Sequence, residues 1–213
     1  MIENITRIEN RARFEELART ITRPGTDIDG LLEAMENGGF FEAPQTEKAF
    51  RSYDGGLCEH ALCRYDEMKK ICSESAYQGV SDDSILITAL FADLGKMDYF
   101  DKTVRNKKVY SETGKKSDEM GKFDWVAEPG YTVRDPALRF VFGTLGQNSE
   151  RILSEFVPLS NEESAAIINL HADYENPNLN LATIYMNYPI AVFLNVSDKL
   201  ASFIDTREEI VPF

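Results

Sequence analysis

The chain has 213 residues, 43% of them hydrophobic and 11% aromatic, which fits one globular domain with a substantial core. Its formal net charge of −13 excludes long nucleic acid as a non-specific partner, because phosphate binding needs a basic surface. The longest apolar run (residues 85–92) falls far short of a membrane span, and the charged start MIENITRIENRARFEEL lacks a signal-peptide core, so a cytoplasmic protein with no membrane partner is expected.

In chain order, residues 3–21 predict an amphipathic helix with Ile8, Phe14, Leu17 and Ile21 on one side. Pro24-Gly25 breaks it. Thr26 or Asp27 caps a second helix carrying Ile28, Leu31, Leu32 and Met35, which Gly38-Gly39 stops. Residues 40–54 read as an ordered loop in which Phe40 and Phe41 plug the core. Gly55-Gly56 starts a helix over 57–77, with Glu59 and His60 in its first turns and Leu62, Tyr65, Met68 and Ile71 on its apolar side. Cys58, Cys63 and Cys72 lie within it, odd in number and without zinc spacing, as packed thiols of a reducing compartment.

Ser81 caps the next helix, and residues 84–96, SILITALFADLGK, are apolar nearly all round, the mark of a buried helix. Asp93 at its end must be paired, hydrogen-bonded or bound to a metal. Gly95 reads as a C-cap, and Lys96 as a cation on the helix dipole. Residues 105–133 alternate β-branched and aromatic residues about a polar connection at 111–122, predicting a β-hairpin that Trp125 packs down. Helical periodicity returns near Gln147. Ser160 to Glu163 is a capping box for a helix running to His171. A turn at 176–178, a helical segment at 181–187 and a last helix at 190–204, opened by Pro189, complete the chain. The predicted fold is all-α: a single domain over 1–213, a compact helical bundle with a small hairpin insert at about 105–133.

LFADLGK resembles the signature of the HD superfamily of metal-dependent phosphohydrolases, in which a His-Asp pair precedes Leu-Gly-Lys or a similar triplet. Ala92 stands at the His position. FFEAP (40–44), GGLCEHAL (55–62), RNKKV (105–109), YTV (131–133), GQNSERIL (146–153), the helix ending in His171 and YPIAVFLNVSDKLAS (188–202) follow in the order of small bacterial and phage members. The resemblance spans about residues 23–204 and is more specific for the fold than for the reaction.

The resemblance implies a metal site of His60, Asp93 and Asp198. Further His positions of the family are held by Phe50 and Leu145, and His171 matches one more, as a second-shell or substrate contact rather than a ligand. One imidazole and two carboxylates favour Mn²⁺ or Mg²⁺ over Zn²⁺, or a site that has lost its metal. In an active enzyme the metal would generate the nucleophile. Asp93 and Lys96 would serve the chemistry, Glu59 or Asp54 would orient a water, and Arg105, Lys107 and Lys108 would neutralise phosphate. As hairpin residues these last three read slightly more readily as solvated charge. Two functions follow: a phosphohydrolase acting on a nucleotide or other small phosphate ester through a weakened metal site, or an inactive relative that binds or sequesters a phosphorylated small molecule. Oligomeric state is not legible.

Overall fold

The computed structural model describes residues 2–139, 143–172 and 180–205, with backbone alone at residues 2–5. The helices are α1 (Ile2–Ala18), α2 (Ile28–Asn37), α3 (Gly56–Glu74), α4 (Asp82–Phe91), α5 (Leu145–Leu153), α6 (Asn161–Ile168), α7 (Leu181–Asn187) and α8 (Pro189–Phe203). Between α4 and α5 lie three strands, β1 (Phe100–Tyr110), β2 (Lys116–Asp118) and β3 (Gly121–Val133). They form one antiparallel sheet in the order β1-β3-β2. The expected turn at 176–178 lies outside the described residues. No helix among them is long and apolar enough to cross a membrane.

The all-α expectation is therefore wrong: the fold mixes helices with a three-stranded sheet. The hairpin begins at Phe100, five residues before its expected start, because residues 100–104 find partners in register at 129–133 of β3. Pairing then runs unbroken from Phe100 opposite Val133 to Tyr110 opposite Phe123. Part of the connection at 111–122 adds β2 to the other side of β3. Trp125 does not pack the arm down; it is 47% exposed, edge-on to Phe123, with the Lys108 ammonium above both rings.

Local chemistry explains most helix ends. Asp27 accepts from Gly30 N to open α2, and Ser81 accepts from Ser84 N to open α4. Capping boxes open both α5 (Thr144 with Gln147) and α6 (Ser160 with Glu163). The core joins α1–α4 through Phe14, Phe40, Phe41 and Phe91, whose rings meet at centroid distances of 5.5–5.6 Å. Phe40 and Phe41 are thus core plugs, each worth roughly 1.5–3 kcal/mol of burial. Ile8 of the predicted stripe is exposed, and Ile21 is buried although α1 ends three residues before it.

Candidate functional site

α4 ends at Phe91, and Asp93 follows it as the residue before a short 3-10 turn, Leu94–Lys96. Gly95 is not a left-handed cap. It is glycine because α5 crosses there: a Cβ would lie 2.5 Å from the Leu145 carbonyl oxygen. Its N–H donates to Ser149 Oγ at 2.8 Å, so the turn is fastened to α5. Apolar side chains surround α4, so Asp93 is carried to the middle of the molecule with almost no exposure.

α3 starts at Gly55, whose left-handed backbone (φ 87°) suits glycine. Leu57, Ala61, Arg64 and Met68 form its deepest stripe, with His60 beside Arg64 one turn earlier. α8 buries Ile190, Ala191, Leu194, Ser197 and Ala201 and turns Asp198 inward. His60, Asp93 and Asp198 accordingly gather, their candidate donor atoms all within 4.8 Å of one another.

The centre of that group is taken by Arg64. Its Nη1 donates to Asp93 Oδ2 at 2.5 Å and to Asp198 Oδ1 at 2.9 Å, and its Nε donates to the Ala89 carbonyl oxygen at 2.9 Å. The side chain is fully buried and bridges α3, α4 and α8. Lys96 Nζ lies 3.1 Å from Asp93 Oδ1, and His171 Nε2 lies 2.9 Å from the same oxygen. Lys96 thus serves Asp93 directly, not the helix dipole, and also donates to the Gln45 carbonyl oxygen at 3.4 Å.

Burial alone would push the Asp93 carboxyl up, but Lys96, Arg64 and the His171 hydrogen bond hold it well below the usual carboxylate range. Asp198 is likewise held low against burial, by its bond to His60 and by Arg64. Burial drives His60 down to about 4, outweighing the pull of Asp198. His60 is therefore neutral near pH 7, and its Nε2–H donates to Asp198 Oδ1 at 2.9 Å. Among the described residues, Nδ1 is then a buried acceptor without a hydrogen-bond partner, as Arg64 Nη2 is a buried donor without one.

This arrangement does not fit a divalent ion. One oxygen of each carboxylate is on the Arg64 guanidinium, and the His60 Nε2 is bound to Asp198. Two cations, Arg64 and Lys96, already balance two carboxylates. An added ion would meet a buried guanidinium with nothing left to pair it.

Phe50, at an expected His position, lies over the His60 ring with centroids 6.1 Å apart, and also meets Phe203. Arg51 holds it there: its backbone is left-handed (φ 49°), and its guanidinium donates to the Ala201 carbonyl oxygen at 2.6 Å. Arg51 Nη2 also lies 3.1 Å from Cys63 Sγ, yet burial still raises the Cys63 pKa. Cys58 is pushed up to about 12 by burial, and all three cysteines are free thiols.

The remaining predicted residues lie elsewhere. Glu59 faces away from Asp93, accepting from Arg51 Nε at 3.2 Å and Tyr53 OH at 3.1 Å. Arg105 pairs with Glu128, Lys107 lies 3.7 Å from the same carboxylate, and Lys108 pairs with Asp118, so these three are committed to the arm. A cavity of about 680 Å³ opens between α1, the start of α3 and the base of the sheet. Arg7, Asp54, Glu59, Lys102 and Tyr131 contribute to its wall. Asp54 there accepts from Tyr131 OH and pairs with Lys102 at 2.9 Å.

The sequence reading missed Arg64, although its signal is present. An arginine at the third place of the stripe Leu57, Ala61, Arg64, Met68, one turn after His60, sits where every neighbour on that face is apolar or a candidate ligand. Comparison with protein-family models, with curated proteins and with solved structures finds no match to this chain.

Proposed function

We propose that this protein is a non-hydrolytic relative of the HD phosphohydrolases that binds a small phosphate-bearing molecule without a divalent metal. One observation carries the reading: the buried Arg64 guanidinium lies between Asp93 and Asp198, bonded to one oxygen of each, with its positive charge where a catalytic metal would put its own. Without that metal there is no agent to acidify a water and polarise a phosphoryl oxygen. Apolar residues at Phe50, Ala92 and Leu145 agree, since none supplies a replacement donor. The cavity beside α3 is the proposed binding place, its wall holding the cations Arg7 and Lys102 together with the acids Asp54 and Glu59.

The competing reading, a weakened phosphohydrolase, draws on the gathering of His60, Asp93 and Asp198 within 4.8 Å. The two separate cleanly. Purified protein should turn over no nucleotide or cyclic nucleotide with Mn²⁺, Mg²⁺, Co²⁺ or Ni²⁺. Its melting temperature should rise with a nucleotide and not with the metals alone. Metal-dependent turnover that Asp93→Asn abolishes would establish the hydrolase instead.

A further inference from the structure

We infer that Arg64 is the permanent, covalently tethered cation of this site, and that shortening its side chain turns the same hollow into a binding site for a divalent first-row cation. The inference rests on the metal-free reading above and states what enforces it.

Three features of the geometry lead there. The donors of His60, Asp93 and Asp198 already lie within 4.8 Å of one another, a spread that small movements can close onto one ion. His60 shares α3 with Arg64, but Asp93 follows α4 and Asp198 lies on α8, so helix packing and not the guanidinium's own segment brings the two carboxylates in. Arg64 fills the space incompletely as a hydrogen-bonding partner. Nη1 bridges the two carboxylates, Nε is used by Ala89, and Nη2 has no hydrogen-bond partner among the described residues although it is buried. What holds the guanidinium is mainly charge, and a divalent ion supplies charge as well.

Removing the guanidinium leaves, among the described residues, Asp93 with Lys96 and His171 and Asp198 with His60. The hollow it vacates is lined by two oxygens and a nitrogen, a donor set suited to Mn²⁺ and tolerated by Zn²⁺. An imidazole whose Nε2–H now donates to Asp198 needs only to move its proton to Nδ1, the atom without a hydrogen-bond partner among the described residues, to offer Nε2 to an ion.

The test compares wild type with Arg64→Ala, Arg64→Gln and Arg64→Lys, each melted alone and with Mn²⁺ or Zn²⁺, with bound metal counted after desalting. Arg64→Ala should melt well below wild type and recover on adding the ion. At an ion concentration about 100 times its dissociation constant the gain should be roughly 5–10 °C, with about one ion retained per chain. Wild type and Arg64→Lys, which keeps the charge, should neither shift nor retain metal. Adding Asp198→Asn to Arg64→Ala should abolish the gain. If Arg64→Ala does not accumulate on its own, rescue by production with Mn²⁺ supports the inference, and Arg64→Gln repeats the test with a side chain nearer in size. An Arg64→Ala or Arg64→Gln protein that folds but takes up no ion overturns it, as does failure of both to fold even with metal. In either case a metal-free, inactive wild type leaves the functional reading standing. A wild type that binds the ion and hydrolyses nucleotides removes that reading instead.

Discussion

At the scale of single residues, the centre of the molecule is a problem in placing charge. Two carboxylates in a nearly dry interior are tolerated because Arg64 and Lys96 lie within 2.5–3.1 Å of them. His60 bears the opposite cost, since burial keeps it neutral. Its folded pKa of about 4 lies below the ordinary 6.5, so between those values the unfolded chain takes up a proton that the folded chain refuses. Stability must therefore fall as pH drops from 6.5 towards 4, by about 3 kcal/mol for this group. Asp93 and Asp198, held below their ordinary 3.8, withdraw further stability as pH falls below that value. Urea unfolding at about pH 7 and about pH 4.5 should show the histidine's share, and His60→Gln should flatten the slope between the two. An unchanged slope in that variant would place the acid sensitivity elsewhere.

At the scale of elements, the site depends on how closely α5 presses on the turn after α4. The conformation of Gly95 is ordinary, so its value lies in the side chain it lacks. In Gly95→Ala the new methyl would meet the Leu145 carbonyl oxygen at 2.5 Å, with Asn148 Cβ and Ser149 Oγ at 3.1 Å. The backbone must yield, at roughly 1–3 kcal/mol, seen as a drop of several degrees in melting temperature. A melting temperature equal to that of wild type would mean that α5 retreats freely. The sequence marked the helix starts capped by Asp27, Ser81 and Ser160, but not the one capped by Thr144. It misread Gly95 because the same residue serves a cap and a close approach, and spacing along the chain cannot distinguish them.

At the scale of the whole molecule, a helical body carries the polar centre while the three-stranded arm pairs largely with itself. Only the base of the arm reaches the body, through Lys102 and Tyr131 to Asp54 and through Arg105 to the Glu47 carbonyl oxygen. Replacing residues 106–127 by a two-residue Asn-Gly turn should keep that base and cost under about 1 kcal/mol, or roughly 2–4 °C. A collapse of the thermal transition would show that the tip of the arm supports the body. The exposed Trp125 and the paired Lys107 and Lys108 leave with the shortened arm while Arg105 stays, so ligand binding in the cavity beside α3 should survive the change.

The sequence by itself determined that Asp93, at the end of a buried apolar helix, would need partners, and the resemblance carried by LFADLGK and its companions implied His60 and Asp198 beside it. It also determined the caps and the aromatic plugs, whose causes are local. Only the tertiary structure decided what stands among the three. A stripe position on α3 predicts that Arg64 turns inward, but which atoms its guanidinium reaches depends on where α4 and α8 end up, and that distance is set by packing between helices far apart in the chain. The size of the sheet was decided in the same way, because strand pairing joins residues whose separation along the chain says nothing about their register.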